Sequence, residues 1–101
     1  MSERFASFRE FYPFYLGEHS NRTSRRLHFV GSCGVLALVA AAFTTRNGWW
    51  ALAALFCGYG FAWVGHFFFE KNRPATFKYP FYSFMGDWVM FKDIIVGKIR
   101  F

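Results

Sequence analysis

Charge is scarce in this sequence. Asp, Glu, Lys and Arg make up 18% of its 101 residues, below the roughly 25% of an average soluble domain. Cysteine is scarce too, and two are too few for a disulfide scaffold. With three prolines and no low-complexity tract there is no linker to separate domains, and the length allows one domain at most. No phosphate-binding glycine loop, Ser-His-Asp set or nucleic-acid motif is present. What is plentiful is apolar: hydrophobic residues reach 54% and aromatics 25%, with sixteen Phe. That aromatic content excludes disorder. A soluble domain of this size buries only about two thirds of its unfolded surface, so this many large rings call for a non-aqueous partner.

Two stretches carry no charge. Leu27 to Thr44 reads LHFVGSCGVLALVAAAFT, and Gly48 to Phe69 reads GWWALAALFCGYGFAWVGHFFF. As helices they would be roughly 27 and 33 Å long, which matches a hydrocarbon core of about 30 Å. Only Thr45, Arg46 and Asn47 separate them, so the two must form an antiparallel hairpin. Gly31, Gly34, Gly58, Gly60 and Gly65 suit close helix packing in a membrane. Ala54, Gly58 and Ala62 form a small-residue row. Cys33 and Cys57 fall within the spans and suit small apolar packing.

The basic residues are distributed unevenly. Arg4, Arg9, Arg22, Arg25 and Arg26 precede the hairpin, six more from Lys71 to Arg100 follow it, and Arg46 alone sits in the turn. By the positive-inside rule both termini face the cytoplasm. The +6 balance then reflects attraction to anionic headgroups and not nucleic-acid binding. Trp49 and Trp50 sit where an interfacial belt belongs. No cleavable signal peptide is expected, because a charged, amphipathic segment precedes the first apolar run.

The flanks are amphipathic. Over residues 1–26, Phe5, Phe8, Tyr12 and Tyr15 recur at near-helical spacing opposite Glu3, Arg9 and Glu10, and Pro13 should kink or end the first helix. Pro80 can start a helix over 80–101, with Phe81, Phe84, Met85, Trp88, Ile95 and Ile99 mostly on one face. Asp87, Lys92 and Asp93 make a third span expensive, so this helix should lie in the interface. The expected fold is all-α: an integral membrane hairpin of two transmembrane helices, 27–44 and 48–69, with amphipathic interfacial helices at both ends.

Three histidines remain. With the turn centred on Asn47, His28 and His66 fall within about one residue of the same depth, or ~1.5 Å. Whether their rings meet depends on helix rotation, which the sequence does not fix. His19 lies before a polar SNRTSRR segment that can return to the same membrane face. Three imidazoles near a carboxylate suit a divalent first-row metal, including non-haem iron with open positions. Each also has a plainer reading as an amphipathic interfacial anchor, which suits His28 and His66 less well than His19 because a polar group at their depth needs a partner. Glu70 shares a helical face with His66. It either joins such a metal or pairs with Arg25 or Arg26. Glu18 reads as an outer or surface group.

FYPFYLGEHSNRTSRRLHFVGS (Phe11 to Ser32) and YGFAWVGHFFFEKNRPATFKYPFYSFMGDWVMFKDI (Tyr59 to Ile94) resemble the Mpo-like proteins. This membrane family was once catalogued as a domain of unknown function and is linked to 2-hydroxy fatty acid dioxygenases. The most specific pieces are Glu18-His19, Asn21 followed by His28, Gly65-His66, Phe69-Glu70-Lys71 and Pro74-Ala75. The short chain is similar to the family's bacterial branch. The resemblance implies iron(II)-dependent α-oxidation at the membrane interface, in which a 2-hydroxy fatty acid and O2 give a fatty acid one carbon shorter. It places the family's catalytic, metal-binding histidines on His19, His28 and His66. Arg25, Arg26 or Arg73 would hold the substrate carboxylate bidentately or anchor the protein at the membrane surface. The competing expectation is a non-enzymatic protein that binds lipid or scaffolds a partner. One hairpin offers little interior, which also leaves room for self-association.

Overall fold

The fold is given by a computed structural model that describes residues 5–74 and 77–101. Glu3, Arg4 and Ala75 lie outside the described residues. Among the described residues the regular structure is entirely helical. Helix α1 spans Phe8–Gly17, α2 Arg22–Thr45 and α3 Trp49–Val64. Helix α3 continues as a π-helical stretch over Gly65–Glu70, and α4 spans Pro80–Ile95.

Helices α2 and α3 form the hairpin. Arg22–Thr45 and Trp49–Glu70 are each long and apolar enough to cross a bilayer. Only 17% and 22% of their most apolar windows are buried inside the protein. A soluble core helix would be mostly buried, whereas these present rings such as Phe43 and Phe56 outwards. Helix α2 starts five residues earlier than the apolar run because Asn21 caps it, its side-chain oxygen accepting from the Ser24 amide at 3.1 Å. It ends where Arg46 turns left-handed at φ 55°. Asn47 Oδ1 then accepts the Trp49 amide at 3.0 Å and starts α3. The helices touch closely where side chains vanish. A Cβ on Gly34 would stand 2.6 Å from Cys57 Sγ, whereas one on Gly60 would meet nothing within 4 Å. Gly60 therefore takes no part in the close helix packing expected of it.

Helices α1 and α4 pack on each other at one end of the hairpin, and α4 also packs on α2. Phe11, Tyr15, Met90 and Ile94 form their shared core, with Phe5, Phe8 and Tyr12 half-buried around it. Helix α1 does not end at Pro13. It continues to Gly17, because Pro13 sits on the exposed side and the contacts of Phe11 and Tyr15 outweigh the roughly 3 kcal/mol cost of an interior proline. Helix α4 buries Ser83, Gly86, Met90, Asp93 and Ile94. Its apolar face, with Phe81, Phe84, Met85 and Ile95, stays exposed. The small and acidic face is the one turned inward.

The last helix stops short of its expected end. Gly97 adopts φ 86°, and the Lys98 and Ile99 amides donate to the Asp93 carbonyl at 2.8 and 3.1 Å. This is a glycine C-terminal cap. The tail then crosses to α2, where Arg26 Nε donates to the Phe101 main-chain oxygen at 3.2 Å and the guanidinium covers the Phe101 ring at 5.1 Å.

Candidate functional site

The chain between α1 and α2 is only four residues, Glu18 to Asn21, and it delivers His19 to the mouth of the hairpin. The His19 ring sits 4.4 Å from His66 and 5.0 Å from His28, centroid to centroid, both edge to face. All three are buried, at 1%, 7% and 2% exposure for His19, His28 and His66. The hairpin brings His28 and His66 to one level, and α1 places His19 between them. Among the described residues no three His, Cys, Asp or Glu side chains are drawn into a metal-holding group. The rings meet edge to face.

Each ring is oriented from behind. His19 Nδ1–H donates to the Tyr15 carbonyl at 2.8 Å, one helical turn back. A carbonyl only accepts, so Nδ1 carries the proton and Nε2 carries the lone pair. That Nε2 is buried without a hydrogen-bond partner. Burial, reinforced by His28 and His66, holds His19 well below the usual imidazole range, so the ring is neutral. His66 Nδ1 donates to Asn72 Oδ1 at 2.7 Å. The Asn72 amide cannot be turned round, because its Nδ2 donates to the Glu18 carbonyl at 3.2 Å. His66 Nε2 is therefore also a lone-pair nitrogen. A ring nitrogen tied to a fixed acceptor, with the other left as a lone pair, is how proteins prepare histidine for a metal. The π-helical stretch supplies this arrangement. It ends at Lys71 with φ 59°, and the Asn72 amide returns to the His66 carbonyl at 3.0 Å. Such stretches often mark functional sites.

His28 is held differently. Its Nε2 lies 3.1 Å from Asp87 Oδ1, and the Tyr15 hydroxyl donates to the same oxygen. Burial, with the Asp87 charge next, raises the Tyr15 hydroxyl well above the usual phenol range, so it remains a donor. The Tyr15 ring also stacks on His19 at 4.2 Å. Gly86 makes this possible, since a Cβ there would stand 2.9 Å from the Tyr15 ring.

The other sequence candidates lie further out. Glu70 Oε2 accepts the Asn21 amide at 2.8 Å, tying the end of the π-helical stretch to the start of α2. Glu18 is raised above the ordinary carboxylate range by burial and then by the Glu70 charge. Arg25 donates through Nη1 to the His19 and Ser20 carbonyls at 3.2 and 2.9 Å, and through Nε to the Arg100 carbonyl. Arg26 holds Phe101, as described above. Arg73 is exposed beside Pro74. Tyr15, Asn72 and Asp87 were not picked out as site residues by the sequence. Asp87 had a signal, as a lone acid between Gly86 and Trp88 in an apolar run, but it argued only against a third span. Asn72 had none, because its role depends on the turn after Glu70.

The histidines stand at one end of a groove of about 640 Å³ between the hairpin and α4. Ser83 and Asp87 share that end. Val35, Leu36 and Val39 on α2, with Leu52, Leu55 and Tyr59 on α3, line the rest. Ser83 Oγ, like His19 Nε2, is buried there without a partner. The cavity is therefore polar at one end and apolar along its length.

A family model described as 2-hydroxy-palmitic acid dioxygenase Mpo1-like matches residues 5–99. The chain belongs to the Mpo1-like family. The match takes in all three histidines, together with Tyr15, Asn72 and Asp87. No curated protein and no solved structure matches the chain. The family name carries a dioxygenase relationship and a 2-hydroxy fatty acid.

Proposed function

We propose that this Mpo1-like chain is a membrane-bound, iron(II)-dependent dioxygenase that shortens 2-hydroxy fatty acids by one carbon. The observation that carries the reading is the buried histidine cluster, in which His19 Nε2 is a neutral, unpartnered donor. His19, His28 and His66 fit a first-row metal by donor chemistry, since imidazole suits iron. Iron(II) held there would supply the redox chemistry with O2 that cleaves the bond between the first and second carbons. The protein's own groups would do the rest. Asp87 and Tyr15 hold His28, and Asn72 holds His66. Burial keeps water from the polar end of the groove, and Ser83 offers a hydroxyl to the substrate's head. Glu70 supports the site by fixing Asn21. Arg73 would meet the carboxylate at the groove mouth beside Pro74, while Arg25 keeps the His19 loop in place.

The acyl chain would lie along the apolar groove while the head reached the histidines. Both termini would face the cytoplasm, because eleven of the twelve basic residues fall outside the turn. The test is to reconstitute detergent-purified protein anaerobically with ferrous iron and then admit 2-hydroxypalmitate and O2. The expected product is the acid one carbon shorter, lost in His19→Ala. No shortened acid from the reconstituted wild type contradicts the proposal. The groove by itself also fits a lipid-binding protein without catalysis. In that case replacing His19, His28 and His66 together by Ala would leave the phenotype intact.

A further inference from the structure

We infer that Asp87 is a metal ligand, completing a two-histidine, one-carboxylate set with His19 and His66 in the place that the family resemblance gives to His28. The inference rests on the reading above that a first-row metal binds at the histidines, and it names a donor that the reading leaves out. The three imidazoles are not equivalent. His19 and His66 each give Nδ1–H to a fixed acceptor, the Tyr15 carbonyl and Asn72 Oδ1, so both offer a lone pair at Nε2. His28 differs, because its Nε2 faces Asp87 Oδ1 at 3.1 Å and stands 3.5 Å from the Tyr15 hydroxyl. A carboxylate oxygen only accepts, so the atom that the other two rings offer is already taken in His28.

Two histidines and one carboxylate with open positions form a donor set suited to non-haem iron and O2. Glu70, the carboxylate that the sequence suggests, spends Oε2 on the Asn21 amide, and neither it nor Glu18 lines the groove. Among the described residues Asp87 is the one acidic side chain in that lining, at the end shared by the histidines. Its Oδ1 is held by two groups, Tyr15 and His28. Among the described residues no hydrogen bond or ion pair takes Oδ2. A carboxylate fixed through one oxygen and open at the other is how supporting hydrogen bonds prepare a ligand. Tyr15 stacks on His19 and donates to Asp87, so one side chain sets both donors. The donors are not drawn into a closed set among the described residues, and metal binding would draw them in.

The experiment measures anaerobic binding of ferrous iron to detergent-purified protein by chelator competition. Wild type, Asp87→Asn, Asp87→Glu and His28→Gln are compared, with circular dichroism reporting the fold. Pulsed EPR of the iron–nitric oxide adduct then counts the imidazoles on the metal. The wild type should show two, and His28→Gln should leave that count unchanged. Asp87→Asn should weaken iron binding at least about a thousandfold, beyond the roughly 10- to 100-fold typical when only a supporting partner is lost. Asp87→Glu, which keeps a carboxylate, should bind more tightly than Asp87→Asn. His28→Gln can still donate to Asp87 Oδ1 and should lose only about 10- to 100-fold. Three imidazoles in the wild type, or an Asp87→Asn no weaker than His28→Gln, overturns the assignment. The count needs no variant, so it decides the matter even where Asp87→Asn fails to fold. A wild type that binds no iron contradicts both this assignment and the dioxygenase reading. Two imidazoles and Asp87-dependent iron in a protein that yields no shortened acid would uphold the assignment and count against the dioxygenase reading alone.

Discussion

Residues 43–52, at the turn of the hairpin, are all exposed, whereas the opposite end buries His19, Ser24, His28, Ser32, His66, Ser83 and Asp93. At the turn the backbone is satisfied by its own helices and by Asn47, and the apolar side chains are left exposed. At the other end polar groups are withdrawn from any solvent and tied together across elements distant in sequence: α1 to α4 through Tyr15 and Asp87, and the chain after α3 to the chain after α1 through Asn72 and Glu18. Burying so many polar groups is unfavourable unless they are partnered. Most of them are; among the described residues His19 Nε2 and Ser83 Oγ are left open and line the groove, while Asp93 Oδ1 lies 3.0 Å from Lys92 Nζ. The turn end is thus an apolar hairpin with exposed side chains, and the buried polar contacts are concentrated at the other end.

The largest expected effect comes from emptying the polar end. His19→Ala should abolish metal binding and turnover, by at least about a hundredfold, while circular dichroism still reports a helical protein; metal content and product formation check this. Removing a group that aims a ring should cost less. Asn72→Ala frees His66 and Tyr15→Phe frees Asp87, and each should weaken metal affinity about 10- to 100-fold, as read by competition with a chelator. Packing comes next. Gly86→Ala drives a Cβ towards the Tyr15 ring and should destabilise the protein by about 1–3 kcal/mol in detergent unfolding, while Gly60→Ala, with nothing within 4 Å, should not destabilise it. The smallest effect belongs to the turn end. Phe43→Leu swaps one exposed apolar side chain for another and should stay within about 0.5 kcal/mol of wild type.

The same division explains what could be read from the sequence. The hairpin was legible because charge-free length and a three-residue turn are local properties, and the two helices lie within five residues of the apolar runs at every end. The level of His28 and His66 followed from helix rise alone. Ring contact did not, because it needs helix rotation, the π-helical stretch and the delivery of His19 by α1. Helix α4 was legible as amphipathic, yet its inward face was not. Ser83, Gly86 and Asp93 look like a solvent face by pattern, and they become interior only once α1 lies across them. Arg25 and Arg26 looked open to a substrate carboxylate. The tail that occupies them returns only because Gly97 ends α4 early.

The central claim, that the buried histidines hold a metal, is tested most directly by metal analysis of detergent-purified wild type beside His66→Ala, both loaded with ferrous iron and desalted. The account predicts bound iron in the wild type and its loss in His66→Ala. Equal metal in both would contradict it.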